Sequence, residues 1–261
     1  MLNGKVALVT GSTTGIGQAI AVKLASLGAG LMFHGLDELE LQGAAESAAA
    51  AGYRIAAWCA DLRQPGACVE LVQRTVERLG RLDILVNNAA ISTRADLGAT
   101  DSRLFDDLIA VNLRAPLLLC REAVPYMRSS GGGAILNIGS VNGYCGERNL
   151  LAYSISKGGL MTLSRNLADA LSADGIRVNH FNLGWVLTPN EYRLKLAEGL
   201  PPDWPERIPP GIAPGGRLFR PEEIAHFAAS FVTDEARLVS GAVVDLEQYP
   251  IIGRNPPKSI L

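Results

Sequence analysis

The sequence has few of the residues that mark a metal site, a disulfide framework or a nucleic-acid interface. Its 261 residues include three histidines and four cysteines, and the net charge is -2. The histidines are scattered and no cysteines have C-x-x-C spacing, so no metal site is expected, and isolated cysteines are typical of a reducing compartment. A net charge near zero gives no reason to expect nucleic-acid binding.

Long hydrophobic runs are missing as well, because none reaches the roughly 20 residues that cross a bilayer. The sequence runs directly into a strand pattern, without a signal-peptide pattern, and it contains no internal repeat. We therefore expect a cytoplasmic protein that does not bind membranes. Hydrophobic residues make up 48% of the chain, which is enough for a large core in one domain.

Glycine, by contrast, is plentiful, with 28 residues, and three glycines follow the first strand pattern. Residues 5–10 (KVALVT) form a short apolar run that ends at Gly11, and Gly15 and Gly17 open a helix pattern at 18–27. Such glycines permit a tight turn, a close approach of a diphosphate to backbone N–H groups, and close packing of helix on strand. This arrangement predicts a dinucleotide-binding turn.

Strand and helix patterns alternate along the rest of the chain. The further strand patterns cover residues 31–34, 54–59, 82–86, 134–138, 176–181 and 242–246. Alternation of this kind predicts an α/β fold, a doubly wound parallel sheet of about seven strands with helices on both faces. We expect a single domain over residues 1–261, with a substrate lid at 190–216, rich in proline and glycine, and an extended tail at 248–261.

The end of the second strand bears on the choice of cofactor. Asp37 lies where a carboxylate could hold the adenosine ribose, although Gly35 occupies the position at which that acid is most frequent. No lysine or arginine lies between Met32 and Arg54, which favours NAD over NADP. Alternatively, Asp37 is a helix N-cap. Asp61, at the end of the third strand, should face the same crevice.

Two asparagine positions also point to the crevice. The fourth strand ends in Asn87-Asn88-Ala89-Ala90, where small residues leave room for a cofactor and the amides can tie neighbouring strands together. A long helix is predicted over residues 104–127, and it contains Asn112, a poor helix former. Asn112 either braces the core or holds a water molecule in a proton relay.

The stretch from Ser140 to Lys157 carries the chemistry. Ser140 ends the apolar run at 134–138, and Tyr153 and Lys157 lie one helical turn apart on one face. An ammonium beside a phenol favours the phenolate, and so lowers its pKa toward the range of a general base. The alternative interpretation of Tyr-x-x-x-Lys is an ordinary amphipathic helix face.

Together these motifs resemble those of the short-chain dehydrogenase/reductase family, in its compact single-domain branch. The resemblance covers about residues 3–246, with matches in order and spacing. The matching positions are Thr10-Gly11-x-x-x-Gly15-x-Gly17, Asp61, Asn87-Asn88-Ala89, Asn112, Ser140, Tyr153 and Lys157.

The resemblance implies hydride transfer between NAD, or NADP, and a secondary alcohol or ketone. In this family Tyr153 would exchange the proton, Lys157 would lower the tyrosine pKa and bind the ribose, and Ser140 would orient the substrate oxygen. Asn112 would hold a water that links Lys157 to solvent. The implied cofactor-binding residues are Gly11, Thr13, Gly15, Ile16, Gly17, Asp37, Asp61, Leu62, Asn88, Ala89, Ala90, Tyr153, Lys157, Gly184, Val186 and Thr188.

The sequence departs from the family pattern at three places. Ala90 replaces a glycine, Leu183 replaces the proline before Gly184, and Leu246-Glu247 replaces a glycine pair near a subunit interface of the family. Cofactor binding should survive these changes. The resemblance also implies a homo-oligomer, either a dimer or a tetramer, and the tail at 248–261 could reach a neighbouring subunit.

The substrate is predicted from the polar residues around the hydroxyl site. Those expected to face it are Ser92, Arg94, Asn142, Glu147, Arg148, Asn149, Trp185, Asn190 and Tyr192. They suit a small sugar, polyol or hydroxy acid better than a steroid or a long acyl chain. The alternatives are an NADPH-dependent reductase of 3-oxoacyl thioesters or other ketones, and a non-catalytic binding protein on the same fold.

Overall fold

A computed structural model describes residues 2–249, and one parallel sheet forms the centre of this part of the chain. The sheet has seven strands in the order β3-β2-β1-β4-β5-β6-β7. They are β1 Val6–Val9, β2 Gly30–Gly35, β3 Ile55–Cys59, β4 Ile84–Asn87, β5 Gly133–Ser140, β6 Ile176–Leu183 and β7 Val243–Leu246.

Helices connect successive strands and cover both faces of the sheet. They are α1 Gly15–Ser26, α2 Glu38–Ala50, α3 Pro65–Leu79, α4 Ser102–Ile109, α5 Ala115–Ser129, α6 Asn142–Cys145, α7 Leu151–Ala170, α8 Pro189–Ala197 and α9 Pro221–Val232. A π-helical turn, Ala110–Arg114, joins α4 to α5, and short 3-10 turns lie at Ser172–Asp174, Trp204–Glu206 and Asp234–Ala236.

Strand β1 shows how the sequence builds two apolar layers. Ala7 and Val9 pack into the layer that holds α1 and α9, whereas Val6 and Leu8 pack into the layer that holds α3 and α5. Side chains alternate across a strand, so a strand buried on both faces must be apolar throughout. The continuous apolar run in the sequence therefore identified a central strand.

The functional edge of the sheet lies where the strand order reverses. Val9 of β1 is in register with Phe33 of β2 on one side and with Val86 of β4 on the other. Crossovers leave in opposite directions from this point, which opens a crevice at the carboxyl ends of the strands. The predicted doubly wound α/β fold is confirmed.

Three stretches differ in detail from their sequence patterns. The helix predicted over 104–127 is divided by the π-helical turn. The segment predicted as a lid holds α8 and a small apolar core of its own around Trp204 and Leu218. Residues 250–261 of the predicted tail lie outside the described residues, while Gln248 and Tyr249 donate hydrogen bonds to the carbonyls of Arg217 and Pro210 in the same chain. No helix of residues 2–249 is long and apolar enough to cross a membrane.

Candidate active site

A cleft of about 780 Å³ opens at the carboxyl ends of the central strands. It is lined by every residue predicted to bind the cofactor and by Ser140. Those residues are Gly11, Thr13, Gly15, Ile16, Gly17, Asp37, Asp61, Leu62, Asn88, Ala89, Ala90, Tyr153, Lys157, Gly184, Val186 and Thr188. Residues far apart in the sequence thus meet because parallel strands end at one edge.

The glycine turn after β1 forms an anion-binding cradle. Gly11 has a φ of 61°, and a Cβ atom on Gly17 would overlap the Gly11 carbonyl oxygen, so both positions require glycine. Asn88 Nδ2 donates hydrogen bonds to the Thr10 and Gly11 oxygens at 2.9 and 3.0 Å. Thr14 is the N-cap of helix α1, which has neither a side-chain cap nor an acidic residue in its first turn. Its N–H groups are therefore free for the diphosphate of a dinucleotide, and the residues fit that group.

The carboxyl end of β2 has little room for the usual acid. A Cβ atom on Gly35 would overlap the Thr13 methyl group, so an aspartate at this position would require the Thr13 side chain to shift. Asp37 lines the cleft and also accepts a hydrogen bond from the Glu40 N–H at 2.9 Å. It is therefore both the N-cap of α2 and a cleft residue. Glu40 adds a second carboxylate to the same wall.

His34 connects the glycine turn to the neighbouring strands. Its Nδ1 accepts a hydrogen bond from the Gly11 N–H at 3.1 Å, and its Nε2 donates one to the Ala60 oxygen at 3.1 Å. These partners require the neutral tautomer with the proton on Nε2. Burial lowers the pKa of His34 to about 4, with the hydrogen bond to Ala60 acting against that shift. The sequence analysis missed this residue, although the carboxyl end of β2 was the place to seek it.

Arg63 is a second residue that the sequence analysis missed. Its guanidinium pairs with Asp61 at 2.8 Å and with Asp107 at 3.4 Å, and it lines the cleft. The hydrogen bonds from Arg63 lower the pKa of Asp61. The cofactor prediction considered basic residues near the end of β2, whereas Arg63 follows β3. It adds positive charge to the wall, but that charge is shared with two carboxylates.

Ser140, Tyr153 and Lys157 come together at the opposite end of the cleft. Ser140 is the last residue of β5, and Tyr153 and Lys157 are one turn apart in the first part of α7. The Lys157 ammonium donates to the Ile138 oxygen at 2.8 Å and lies 5.6 Å from the centroid of the Tyr153 ring. The structure thus brings all three residues to the cleft, and their catalytic roles stay a prediction.

Burial governs the ionisation of this pair. It lowers the pKa of Lys157 to about 8. Burial also raises the pKa of Tyr153; a hydrogen bond with Ser140 opposes that rise and the nearby Glu191 carboxylate adds to it. The lowering of the tyrosine pKa by Lys157 stays a prediction.

Asn112 lies in the π-helical turn, fully buried, behind the cleft wall. Its Oδ1 accepts from the Ile91 N–H at 2.8 Å, and its Nδ2 donates to the Ile91 oxygen at 2.9 Å and to Ser156 Oγ at 3.0 Å. Ile91 itself lines the cleft. These contacts brace the segment after β4, as the first of the two interpretations required. The water-holding role stays a prediction.

The predicted substrate residues divide into two groups. Ser92, Trp185 and Asn190 line the cleft, together with Glu191, which the sequence analysis did not name. The other predicted positions are not in the described lining: Arg94, Asn142, Glu147, Arg148, Asn149 and Tyr192. Arg94 instead pairs with Glu198, and Asn142 donates to Glu147.

Within residues 2–249 no cluster of three or more histidine, cysteine, aspartate or glutamate residues could hold a metal ion.

Comparison with known proteins identifies the class. The family model described as short chain dehydrogenase matches residues 5–198, and the chain belongs to this family. It is an oxidoreductase that transfers hydride between a nicotinamide cofactor and a hydroxyl or keto group, as the motifs predicted.

Individual relatives differ in the substrates that their names give. D-beta-hydroxybutyrate dehydrogenase of Cupriavidus necator is 32% identical over 95% of this chain and 98% of its own. A 2-dehydro-3-deoxy-D-gluconate 5-dehydrogenase of Escherichia coli is 33% identical over 80% and 83% of the two chains. Among solved structures, L-sorbose reductase from Gluconobacter frateurii, complexed with NADPH and L-sorbose, superposes with a TM-score of 0.90 at 30% identity, over 95% and 96%.

Proposed function

We propose that this enzyme interconverts a secondary hydroxyl group and a ketone on a small sugar, polyol or hydroxy acid. The observation that carries the proposal is the composition of one end of the cleft. There Ser140, Tyr153 and Lys157 share a wall with the polar side chains of Ser92 and Asn190. A polar pocket of this kind can bind several substrate hydroxyl groups, and would leave a long acyl chain poorly matched.

Each residue of the grouping has a proposed task. The Tyr153 hydroxyl moves a proton to or from the substrate oxygen, while Ser140 donates a hydrogen bond that positions that oxygen. Lys157 holds a positive charge behind the phenol, and would bind a ribose hydroxyl of the cofactor. When bound, the nicotinamide ring supplies the hydride exchange. Asn112 keeps Ile91, and with it the segment that carries Ser92, in place.

The cofactor we propose is NAD, with the glycine turn as its diphosphate site. Two carboxylates, Asp37 and Glu40, line the wall near the end of β2, where they would repel the 2′-phosphate of NADP and accept bonds from a ribose diol. The positive charge of Arg63 would favour the 2′-phosphate of NADP, but its guanidinium is already paired with Asp61. The alternative, NADP, draws support from the NADPH named for the sorbose reductase structure.

A substrate panel tests this proposal most economically. It contains sugars, polyols, hydroxy acids, 3-oxoacyl thioesters and hydrophobic ketones, and nicotinamide absorbance is followed with each cofactor. We expect turnover of small hydroxylated compounds, faster with NAD(H) than with NADP(H). Faster turnover of hydrophobic ketones or 3-oxoacyl thioesters would contradict the proposed substrate class. Faster turnover with NADP(H) than with NAD(H) would contradict the proposed cofactor.

We further propose a homo-oligomer, a dimer or tetramer, in the cytoplasm. Large apolar side chains are exposed on α9 and on the turn before β7, where Phe227 is partly exposed and Leu238 is 91% exposed. Exposed side chains of this size would be covered in an interface between copies of the chain. Cys59, Cys68 and Cys120 are free thiols, as a reducing compartment favours. Light scattering after gel filtration measures the assembly, and a monomer would contradict it.

A further inference from the structure

The sequence Thr188-x-x-Glu191 predicts a capping box, but the Glu191 side chain does not adopt that position. Thr188 is the N-cap of α8, and its hydroxyl accepts a hydrogen bond from the Glu191 N–H at 3.0 Å. In a capping box the glutamate side chain returns to the N–H of the N-cap residue. Here the Thr188 N–H instead bonds to the Val186 oxygen, and Glu191 Oε1 accepts from the Trp185 indole at 2.8 Å. The carboxylate therefore lies in the wall of the cleft rather than over the helix end.

The indole that holds Glu191 is itself fixed. The Trp185 ring stacks on Trp204 with 5.4 Å between centroids and 16° between planes, and Trp204 is fully buried. The Lys195 ammonium lies 5.4 Å from the centroid of the Trp185 ring on this side of the cleft. A carboxylate bonded to an immobilised donor has a defined position, which a binding site requires.

Glu191 is the charged group that its own ion-pair cluster presents to the cleft. Arg94 lies 3.8 Å from Glu191 but makes its closer pair, 3.0 Å, with Glu198, and Lys195 pairs with Glu198 at 2.7 Å. Of these four charged residues only Glu191 lines the cleft. The two cations thus make their closer pairs with Glu198, and Glu191 is the member of the cluster that a substrate would meet.

We propose that Glu191 selects substrates by their charge. Its carboxylate would accept a hydrogen bond from a hydroxyl of a neutral sugar or polyol, and would repel a substrate carboxylate at the same place. This inference rests on the proposed function and narrows it, because it removes hydroxy acids from the candidate substrates. The side chain is 20% exposed, so the repulsion acts in a partly dehydrated cleft, where it is stronger than in water. The same carboxylate also raises the pKa of Tyr153, which gives an independent readout.

The test compares a neutral and an anionic substrate of the same shape. A polyol and the aldonate with the same number of carbon atoms are assayed with the full-length enzyme and NAD. We expect the wild type to favour the polyol in kcat/KM. Glu191→Gln should raise kcat/KM for the aldonate on the order of tenfold, and should shift the basic pKa of the pH–rate profile for alcohol oxidation downward. Glu191→Asp, which keeps the charge, should retain the preference for the polyol.

Glu206→Gln is the matched control, because it removes an exposed carboxylate from the same segment that neither lines the cleft nor belongs to the cluster of Arg94, Lys195 and Glu198. Its polyol-to-aldonate ratio should stay within about twofold of the wild type, since the charge facing the substrate is unchanged. An unchanged ratio in Glu191→Gln, with both substrates turned over, would overturn the role of Glu191 and leave the proposed function standing. Turnover of neither substrate by the wild type would overturn the proposed substrate class instead.

Discussion

At the scale of single residues, burial of the Lys157 ammonium in the cleft lowers the stability of the folded protein. The residue is 2% exposed, and Nζ has one hydrogen bond, to the Ile138 oxygen. Its pKa falls from 10.5 to about 8 because burial disfavours the charged form. Such a cost is expected at a functional position, where the charge is required for a task other than stability.

Replacing Lys157 should therefore stabilise the protein. Near neutral pH we expect Lys157→Met to raise the free energy of unfolding by about 1–2 kcal/mol, since a shift of this size costs roughly 3 kcal/mol and the lost hydrogen bond to Ile138 offsets about 1. Urea denaturation measures the difference, with Lys23→Met, on the partly exposed side of α1, as the control.

The stability difference between Lys157→Met and the wild type should depend on pH. Below pH 8 the lysine is charged in both states and the full cost is present; as pH rises from about 8 to 10.5 the folded state loses its proton first and the cost disappears. The advantage of Lys157→Met should therefore shrink over that range. A variant that is less stable than the wild type near neutral pH, or whose advantage does not change with pH, would contradict this account.

Sequence reasoning found cleft residues where a motif coincides with the end of a strand, as at Gly11 and Ser140. It missed Glu191 because its sequence context, Thr-x-x-Glu, also describes an ordinary helix start. The direction of its side chain is set by Trp185, whose own position depends on packing against Trp204. Contacts of that kind depend on tertiary packing, which local sequence patterns do not encode.

At the scale of elements, the π-helical turn between α4 and α5 is the feature that periodicity could not predict. The extra residue in this turn leaves the apolar pattern of 104–127 almost intact, so the sequence indicates one continuous helix. The turn buries Asn112 completely, and the amide then satisfies both backbone groups of Ile91. Turns of this type are frequent at functional sites.

We expect Asn112→Leu to lower the free energy of unfolding by about 1–3 kcal/mol, because the partly buried Ile91 N–H and carbonyl would lose their partner. Turnover should fall with it, since Ile91 and Ser92 line the cleft. Urea denaturation and steady-state rates measure both effects. Asn149→Leu, at an exposed position, serves as the control and should change stability by less than about 0.5 kcal/mol. A similarly small change in Asn112→Leu would contradict the bracing role.

At the scale of the whole molecule, the alternation of strands and helices predicted a doubly wound parallel sheet of about seven strands, which the structure confirms. The segment at 185–218 is different, because its apolar residues form a cluster separate from the two layers of the sheet. The sequence showed only many proline and glycine residues there. Nothing in that composition specified the stacking of Trp185, Tyr192 and Trp204.

A small separate core should open more easily than the sheet. In native-state hydrogen exchange we expect amides of residues 185–218 to exchange faster than those of β1, β4 and β5, and to slow when cofactor and substrate are added, as a lid over the cleft would require. Exchange in β2, away from the substrate end, serves as the reference. Equal protection of the segment and the sheet, with no response to ligands, would contradict the prediction of a lid.

The central claim is that the Tyr153 hydroxyl moves the proton while the rest of the cleft binds the cofactor. Turnover and NADH binding, the latter followed by fluorescence titration, should be measured together for Tyr153→Phe and the wild type. We predict an affinity for NADH within about threefold of the wild type, and turnover lower on the order of a thousandfold or more, because only the proton donor is removed. Turnover comparable to that of the wild type would contradict the account.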